Sequence, residues 1–284
     1  MNEMTLIATQ SFGLKKDFTE DLTGTIRRLH EMGFTAIEPF ILFNEEQGKA
    51  PRNLWSFETL KLAKQTMDEL GMRIPSAHIG IGFSWFSMPV KTIVKNILRL
   101  KETYGIDKFI VSAPFGTAGL AKHWGRLTKK ISDAVHPHGC TILYHNHDDE
   151  FKRVKFRGTE VEAMQVFLDH TSPDVRLQVD IGWAHFAGDE SEIIRRYADR
   201  IELIHLKDFY PEYLDGTYDR NNLPDKAFAP IGEGGIRTGK VLPMLGTLPH
   251  FAGAVIIDQD KYAGNMLDSL RTGCANIRKM LGVN

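Results

Sequence analysis

Side chains that could bind a metal ion stand at the ends of several apolar runs in this 284-residue chain. Four such runs in the second half end, in order, at His145, Asp180, His205 and Asp258. A single histidine or aspartate at such a place is more often a hydrogen-bonded structural residue or a helix cap. Strands that converge would bury all of these groups together, which is costly unless a cation is present. The pattern therefore indicates a divalent metal site, provided that the fold brings the strand ends together.

Two earlier runs also end in polar residues. Glu38 ends the second apolar run of the chain and His78 ends the third. In a fold where the strand ends converge, they would face the metal site from the opposite wall. We expect them to bind substrate hydroxyl groups there.

The elements that must position these residues alternate between two patterns. Short β-branched or aliphatic runs predict strands, and apolar residues at i, i+3, i+4 and i+7 predict helices. The predicted strands are Thr5–Gln10, Ala36–Phe40, Arg73–His78, Lys108–Ala113, Thr141–His145, Arg176–Asp180, Ile201–His205 and Ala254–Asp258. The predicted helices are Asp21–Met32, Phe57–Leu70, Val90–Tyr104, Leu120–Val135, Glu160–Asp169, Glu192–Tyr197, Lys240–Leu245 and Met266–Leu281.

Strand–helix units without a change in composition predict an α/β fold, a closed (β/α)8 TIM barrel that forms a single domain over residues 1–284. The alternative is an open doubly wound sheet, which usually has a glycine-rich phosphate-binding turn after its first strand. Gln10-Ser-Phe-Gly13 is not such a turn. In a barrel the strand ends form the mouth of the active site, and the irregular stretch Tyr210–Gly235 would lie there as a lid or binding loop.

Composition and charge limit the partners. The formal net charge is −1, which argues against nucleic acid or an anionic membrane surface as the main partner. No run approaches the roughly 20 apolar residues of a membrane span, and the first residues lack the pattern of a secretory signal. The two cysteines, Cys140 and Cys274, are too few for a disulfide framework and lack metal-ligand spacing. We expect a cytoplasmic protein whose partner is a small-molecule sugar or polyol, with self-association into a homo-oligomer left open.

Five segments carry a resemblance to a known family. They are Tyr144-His-Asn-His-Asp-Asp-Glu-Phe151, Val179-Asp-Ile-Gly-Trp183, His205-Leu-Lys-Asp208, Pro230-Ile-Gly-Glu-Gly234 and Asp258-Gln-Asp260. On these segments the chain resembles the xylose-isomerase-like TIM-barrel superfamily. Within it, the similarity is to sugar phosphate isomerase/epimerase proteins, which include inosose dehydratases and ketose 3-epimerases. The resemblance extends over essentially the whole chain.

The resemblance implies a set of metal ligands. In such proteins four residues from the fifth to eighth strands, typically Glu, Asp, His and Glu, bind one divalent ion. The matching positions are His145, Asp180, His205 and Asp258. His145 replaces a glutamate, and Asp258 is one methylene shorter than the usual glutamate, so it could bind through water or leave the site weakly metallated. Two imidazoles and two carboxylates suit Mn2+, Zn2+, Fe2+ or Co2+ better than Ca2+ or Mg2+.

The surroundings of these ligands also follow from the resemblance. In the DNA-repair endonuclease branch, a histidine three residues after the aspartate binds a second metal. Trp183 stands at that position, so a trinuclear zinc site and DNA repair are not expected, and we assign Trp183 to substrate binding. Histidine ligands usually hydrogen-bond a further group. The nearby carboxylates that could serve, or could instead be solvated or cap helices, are Asp148, Asp208 and Asp260.

The chemistry implied is proton removal next to a carbonyl, with a metal-stabilised enediolate. His147 is the first choice of base, because it lies two residues beyond His145 in an extended segment and so on the same face. Glu150 and Glu233 are the alternatives. Lys207 would donate to a substrate oxygen or stabilise developing charge, unless it forms a salt bridge to Asp208 or Asp260.

Several outcomes of this chemistry stay open. Reprotonation would make the protein an isomerase or epimerase, our first interpretation. Loss of a β-leaving group would make it a lyase, like an inosose dehydratase or an enzyme that cleaves 3-keto-glycosides. The two ligand departures also suit a non-catalytic sugar-binding partner subunit. Four aromatic residues could pack on a sugar or, as we favour, within a lid or dimer interface: Trp55, Phe83, Trp85 and Phe86.

Overall fold

The computed structural model describes residues 5–43, 55–80, 88–113 and 115–283. The strands are β1 Leu6–Gln10, β2 Ala36–Glu38, β3 Phe40–Leu42, β4 Ala77–Gly80, β5 Lys108–Val111, β6 Thr141–His145, β7 Arg153–Phe156, β8 Thr159–Glu162, β9 Arg176–Asp180, β10 Ile201–Leu206, β11 Asp208–Phe209, β12 Phe228–Ala229 and β13 Ala254–Ile257. The α-helices are α1 Lys15–Glu20, α2 Leu22–Glu31, α3 Phe57–Glu69, α4 Val90–Tyr104, α5 Ala118–Val135, α6 Ala163–Leu168, α7 Ile181–Ala187, α8 Glu190–Arg196, α9 Thr238–Leu245 and α10 Met266–Leu281.

The main sheet closes into a barrel. Its strands follow the order β2-β1-β13-β10-β9-β6-β5-β4-β3, and every pairing between them is parallel. Its two end strands, β2 and β3, are consecutive in the chain and are separated only by Pro39, which has no N–H to donate to a ladder. A further parallel bridge joins Ala36 to Arg73. The predicted closed (β/α)8 barrel in one domain is thus confirmed over the open sheet.

The inside of the barrel has an apolar layer with a polar layer above it. A cluster of buried residues, each from a barrel strand, fills the lower layer: Ala8, Ala36, Ile110, Leu143, Leu203, Ala254 and Ile256. Side chains two residues apart on a strand point to the same side. The next inward residue on several of these strands is therefore polar, and these residues are Glu38, His145, His205 and Asp258. The alternation that fills the floor of the barrel also places three of the four candidate ligands, His145, His205 and Asp258.

One carboxylate organises the long loop after β10. Asp208 is buried, and its two oxygens accept hydrogen bonds from the backbone amides of Phe209, Gly232, Gly234 and Ile236 at 2.9–3.2 Å. The loop is further tied down by antiparallel pairing of β11 with β12. The predicted irregular stretch Tyr210–Gly235 therefore returns to the barrel as an anchored loop.

Besides the predicted strand Ala36–Phe40, which Pro39 divides into β2 and β3, two elements differ clearly from the sequence-based prediction. The predicted helix Glu160–Asp169 begins only at Ala163, because β7 and β8 form a hairpin whose turn has positive φ at Arg157 and Gly158. The predicted strand Arg73–His78 is reduced to a single bridge before β4, because Pro75 interrupts it.

Of the four aromatic residues singled out above, Trp55 is buried, and its ring packs edge-on against Phe18 with 5.2 Å between centroids. Phe83, Trp85 and Phe86 lie outside the described residues. Among the helices that the structure describes, none combines the length and apolar character needed to cross a membrane.

The role of Asp208 can be tested by Asp208→Asn. The new amide group would face backbone N–H donors that the carboxylate now accepts, leaving buried groups unpaired. We expect the free energy of unfolding to fall by on the order of 2–4 kcal/mol, measured by urea denaturation, and faster proteolysis within residues 210–236. Asp215→Asn, on an exposed part of the same loop, is the matched control and should change little. Equal stability of the two variants would contradict this role.

Candidate active site

The structure brings the predicted metal ligands together. His145, Asp180, His205 and Asp258 are buried, and one potential ligand atom from each lies within 4.8 Å of all the others. His205 Nδ1 lies 3.1 Å from Asp258 Oδ2, and His145 Nε2 lies 4.0 Å from Asp180 Oδ2. Ligand bonds of about 2.0–2.3 Å to one ion would require only small movements from this arrangement. The assignment of these residues as ligands remains a prediction.

Two further observations fit a cation at this place. Asp180 Oδ2 is buried and accepts no hydrogen bond from the described residues, although Lys207 Nζ forms an ion pair with it at 3.1 Å. Imidazole nitrogen and carboxylate oxygen are also ordinary ligands of divalent transition metals. The donor set fits a divalent ion, and so does Asp180 Oδ2, which faces the Lys207 ammonium but accepts no hydrogen bond from the described residues.

The buried charges are strongly coupled. Burial opposes the charged form of His205, but Glu38 and Asp258 raise its pKa to about 10. Burial also acts on Glu38, yet His205 and His78 hold the pKa of this carboxyl well below its usual range. The pKa of His145 is lowered by burial and by the neighbouring histidines, which leaves its ring neutral and available as a ligand.

Negative charge is in excess at the mouth of the barrel. The carboxylates there are Glu38, Asp180, Asp258 and Asp260, and the facing cations are Lys207 and protonated His205. If all these groups are ionised, two negative charges are left without a partner among them. An ion bound through His205 Nδ1 would displace the proton of that ring, and a divalent cation would then offset two of the three negative charges left among these groups.

Glu38 lies beneath the ligands. Its carboxylate accepts hydrogen bonds from His205 Nε2 at 2.7 Å and from Gln178 Nε2 at 2.6 Å, and it also contacts Ser76 Oγ and His78 Nε2. Because His205 donates through Nε2, its Nδ1 is the nitrogen that faces Asp258 and the candidate metal position. Glu38 and His78, which we expect to bind substrate hydroxyls, are both buried and hydrogen-bonded by protein groups, which favours a role in ring positioning; their contact with substrate stays a prediction.

Gln178 is a site residue that the sequence analysis missed. Its Oε1 lies 2.8 Å from His78 Nε2 and 3.2 Å from His145 Nδ1, so it orients both rings. The available signal was its position two residues before Asp180 on β9, because alternate residues of a strand share a face. Together, Glu38 and Gln178 occupy the supporting role expected of Asp148, Asp208 and Asp260.

Those three aspartates have other partners. Asp208 anchors the loop described above, while Asp148 faces Arg220 Nε at 3.5 Å and Lys152 Nζ at 3.4 Å. Asp260 contacts Lys207 Nζ at 2.7 Å. Of the roles left open for these three aspartates, the contacts favour ion pairing and loop anchoring, because the histidine rings point into the barrel, where the neighbouring strands supply Glu38 and Gln178.

His147 is the most accessible imidazole of the site. Its side chain is 21% exposed, against 5% for His145 and none for His205. Its Nδ1 is buried without a hydrogen-bond partner among the described residues and lies 3.9 Å from Glu150 Oε1. The geometry therefore leaves His147 free to meet a substrate beside the candidate metal position.

Glu150, an alternative base, is hydrogen-bonded to protein groups on both of its carboxylate oxygens. It is fully buried, its Oε2 accepts from the backbone amide of His147 at 3.0 Å, and its Oε1 lies 2.7 Å from the Tyr144 hydroxyl. Burial and this carboxylate raise the pKa of Tyr144 well above its usual value. Glu150 thus fixes the segment that carries His147.

Lys207 is buried among carboxylates. Its Nζ lies 3.0 Å from Asp258 Oδ2, in addition to its contacts with Asp180 and Asp260, and 4.8 Å from the centre of the Trp183 ring. The alternative of a salt bridge to Asp260 is therefore present, and one to Asp208 is not. Trp183 is itself buried, packs against Phe209, and donates its backbone amide to Asp180 Oδ1 at 3.0 Å.

Glu233 is not brought to this cluster. Its side chain is exposed, and its Oε1 accepts a hydrogen bond from Asn276 Nδ2 of α10 at 3.1 Å. The amides on either side of Glu233, those of Gly232 and Gly234, are held by Asp208. The turn consequently directs Glu233 towards α10, an orientation that does not support it as the base, and that alternative stays an untested prediction.

Comparison with known proteins agrees with this architecture. Residues 26–280 match the family model described as the xylose isomerase-like TIM barrel. The chain belongs to this family. It is 26% identical over 230 residues to an inosose dehydratase of Geobacillus kaustophilus, an alignment that covers 72% of this chain and 66% of the relative, just under two thirds of its length.

Two solved structures share the fold at lower identity. A sugar phosphate isomerase/epimerase from Parabacteroides distasonis superposes with a TM-score of 0.75 at 18% identity, covering 98% of this chain and 97% of the other. A xylose isomerase-like TIM-barrel protein from Mycobacterium smegmatis, in complex with magnesium, gives a TM-score of 0.69 at 15% identity over 99% and 97% of the two chains. At these identities the likeness shows the fold alone.

Because Glu38 lies beneath His205 and accepts its hydrogen bond, two substitutions of Glu38 should weaken metal binding to different extents. Glu38→Ala should weaken Mn2+ affinity by about 10–100-fold, because His205 loses the acceptor that fixes its ring. Glu38→Gln should weaken it less, since the amide oxygen can still accept from Nε2. Isothermal titration calorimetry on folded protein measures both, with Glu233→Ala as the control at a surface carboxylate. Wild-type affinity in Glu38→Ala would show that Glu38 does not position His205.

Proposed function

We propose that this chain is a divalent-metal-dependent enzyme that isomerises or epimerises a sugar or keto-polyol through an enediolate. The observation that carries the proposal is the convergence of His145, Asp180, His205 and Asp258 within 4.8 Å of one another, beside the partly exposed ring of His147. Membership of the xylose isomerase-like TIM-barrel family and the 26% identity to an inosose dehydratase support an enzymatic function.

The residues that would hold the ion are the two histidines and two aspartates of that group. When bound, a divalent ion supplies Lewis acidity towards a carbonyl oxygen and a neighbouring hydroxyl oxygen. The ring orientations set by Glu38 and Gln178 present His205 Nδ1 and His145 Nε2 to the ion. The proposed ion is Mn2+, Zn2+, Fe2+ or Co2+, because these ions suit a set with two nitrogen ligands.

His147 is the proposed proton acceptor. Its ring lies beside that of His145, with 5.4 Å between the centroids, and its backbone is fixed by Glu150. A positioned base of this kind removes the proton from the carbon next to the carbonyl. Lys207, held by three carboxylates, contributes positive charge close to the oxygens on which negative charge develops.

The charges around the mouth favour an unphosphorylated substrate. Among the described residues near His147, Arg220 is paired with Asp148 and Asp149, and Lys152 is paired with the same two aspartates. A phosphate group would have to displace these carboxylates and would meet the excess of negative charge at the cluster. We therefore propose a neutral polyhydroxylated ketone, used in the cytoplasm, as the partner molecule. Homo-oligomer formation remains a prediction.

A lyase reaction is the second candidate, and the inosose dehydratase relative favours it. Removal of the same proton followed by loss of a β-hydroxyl would give dehydration in place of isomerisation. For elimination, the proton that His147 accepts can pass to the departing hydroxyl, which leaves as water from the same face, whereas epimerisation also requires a proton donor on the opposite face of the substrate.

Proton NMR in D2O can separate these outcomes. The metal-loaded protein is incubated with a panel of ketoses, inososes and 3-keto-glycosides. Solvent deuterium appearing in a rearranged sugar supports the isomerase, and loss of water or of an aglycone with formation of an enone supports the lyase. Saturable sugar binding without exchange or turnover would favour the non-catalytic partner subunit and contradict an enzymatic role.

The proposed roles of two histidines predict different failures. His205→Ala should lose most bound metal, because a direct ligand is removed. His147→Ala should keep its metal near the wild-type content but slow proton abstraction by on the order of 10²–10⁴-fold. Metal analysis and solvent-deuterium exchange on both variants provide the test. Loss of metal in His147→Ala together with retention in His205→Ala would mean that ligand and base are reversed.

A further inference from the structure

Lys207 and a metal ion would share the same oxygens. The Lys207 ammonium lies 3.1 Å from Asp180 Oδ2 and 3.0 Å from Asp258 Oδ2, and its side chain is only 1% exposed. Asp180 and Asp258 are two of the four candidate ligands, and Oδ2 of Asp258 also faces His205 Nδ1. The ammonium is therefore in direct contact with the anionic half of the ligand set.

A simple distance limit shows how strongly the two cations must interact. If an ion binds Asp258 Oδ2 with a bond of about 2.1 Å, it lies within about 5 Å of the ammonium, since the contact of Lys207 with that oxygen is 3.0 Å. At this separation, even the dielectric constant of water gives a repulsion that weakens binding of a doubly charged ion about tenfold. Burial of the side chain makes the effect larger.

The contacts also keep the ammonium in place. Asp260, which is not among the candidate ligands, holds Nζ at 2.7 Å, and the Trp183 ring lies beneath it with 4.8 Å to the centroid. In the metal-free protein, the same ammonium stabilises two carboxylates that would otherwise be buried next to each other with only the His205 ring, at Asp258, as a facing cation. Lys207 would thus lower the affinity of the site for a metal ion. It would also allow the protein to fold without a bound metal ion.

We infer that Lys207 is a built-in counter-ion of the metal site, which keeps the metal-free protein folded and holds divalent-metal affinity low enough for the ion to exchange. This inference rests on the metal site of the proposed function. It concerns the affinity of the site, whereas the proposed function concerns the reaction. Lys207 also explains how a cluster with this excess of carboxylates can exist before a metal arrives.

The test uses Lys207→Met and Lys207→Gln, which remove the charge with an apolar and a polar side chain. Titration calorimetry with Mn2+ and thermal unfolding with and without Mn2+ are measured on the full chain. Both variants should bind Mn2+ about tenfold or more tightly than wild type. Their metal-free melting temperatures should fall by about 5–10 °C, and Mn2+ should raise these temperatures more than it does in wild type.

Asp260→Asn provides the matched comparison. It should weaken Mn2+ binding in the wild-type background, because Lys207 then depends on Asp180 and Asp258 alone. In the Lys207→Met background the same change should have a much smaller effect, since the coupling runs through the ammonium. An equal effect in both backgrounds would identify simple charge removal and overturn the inference.

The remaining outcomes separate the two proposals. If wild type binds Mn2+ and both Lys207 variants bind it equally well or more weakly, the counter-ion inference is wrong and the metal site stands. If only the variants bind, the inference holds and a metal-dependent function of the wild-type protein is wrong. If neither binds, both are overturned, because removing the ammonium then exposes no affinity for metal.

Discussion

The arrangement of this protein's candidate site depends on how several buried ionised groups are balanced at one end of a closed barrel. Each carboxylate at the mouth would be unfavourable alone, and each is stabilised by a cation or by donors on another strand. His205 illustrates the constraint, since its ring joins Glu38 of β2 to Asp258 just after β13. Closure of the barrel is therefore needed to bring these buried charges together, as well as to complete the backbone pairing of the strands.

The supporting residues form a second level below the candidate ligands. Glu38 and Gln178 fix which nitrogen of each histidine faces the cluster, and Lys207 sets the charge that the cluster presents to an incoming ion. The apolar floor below them leaves these contacts as the available partners for the polar groups. Ligand geometry, ring orientation and charge are thus properties of one connected network.

Much of this arrangement could be predicted from the sequence, because two simple patterns report it. Strand and helix periodicity gave the barrel, and the polar residues at the strand ends gave the four candidate ligands, which the structure brings together. The contacts inside the barrel could not be predicted in the same way. Whether Glu38 meets a substrate or a histidine depends on the register and direction of strands far apart in sequence.

Turns and loops account for the remaining differences. The turn at Arg157 and Gly158, with positive φ at both residues, converts the start of a predicted helix into a hairpin. Glu233 lies in one of the five segments that resemble the family. The backbone amides on either side of it donate to Asp208, and its side chain accepts a hydrogen bond from α10. Such outcomes depend on backbone hydrogen bonds that residue type alone does not report.

Lys207 and Asp208 are adjacent in the chain, but their side chains have different roles. Lys207 belongs to the charged network, whereas Asp208 clamps residues 232–236 by their backbone amides, which are common to every amino-acid type except proline. Apart from Arg220, which pairs with Asp148 and Asp149, the intervening residues 210–228 can therefore vary in sequence and length without altering the charged network around Lys207, at a small entropic cost. For the proposed function, this makes the loop the part of the molecule in which a new substrate preference can arise while the candidate ligands stay unchanged.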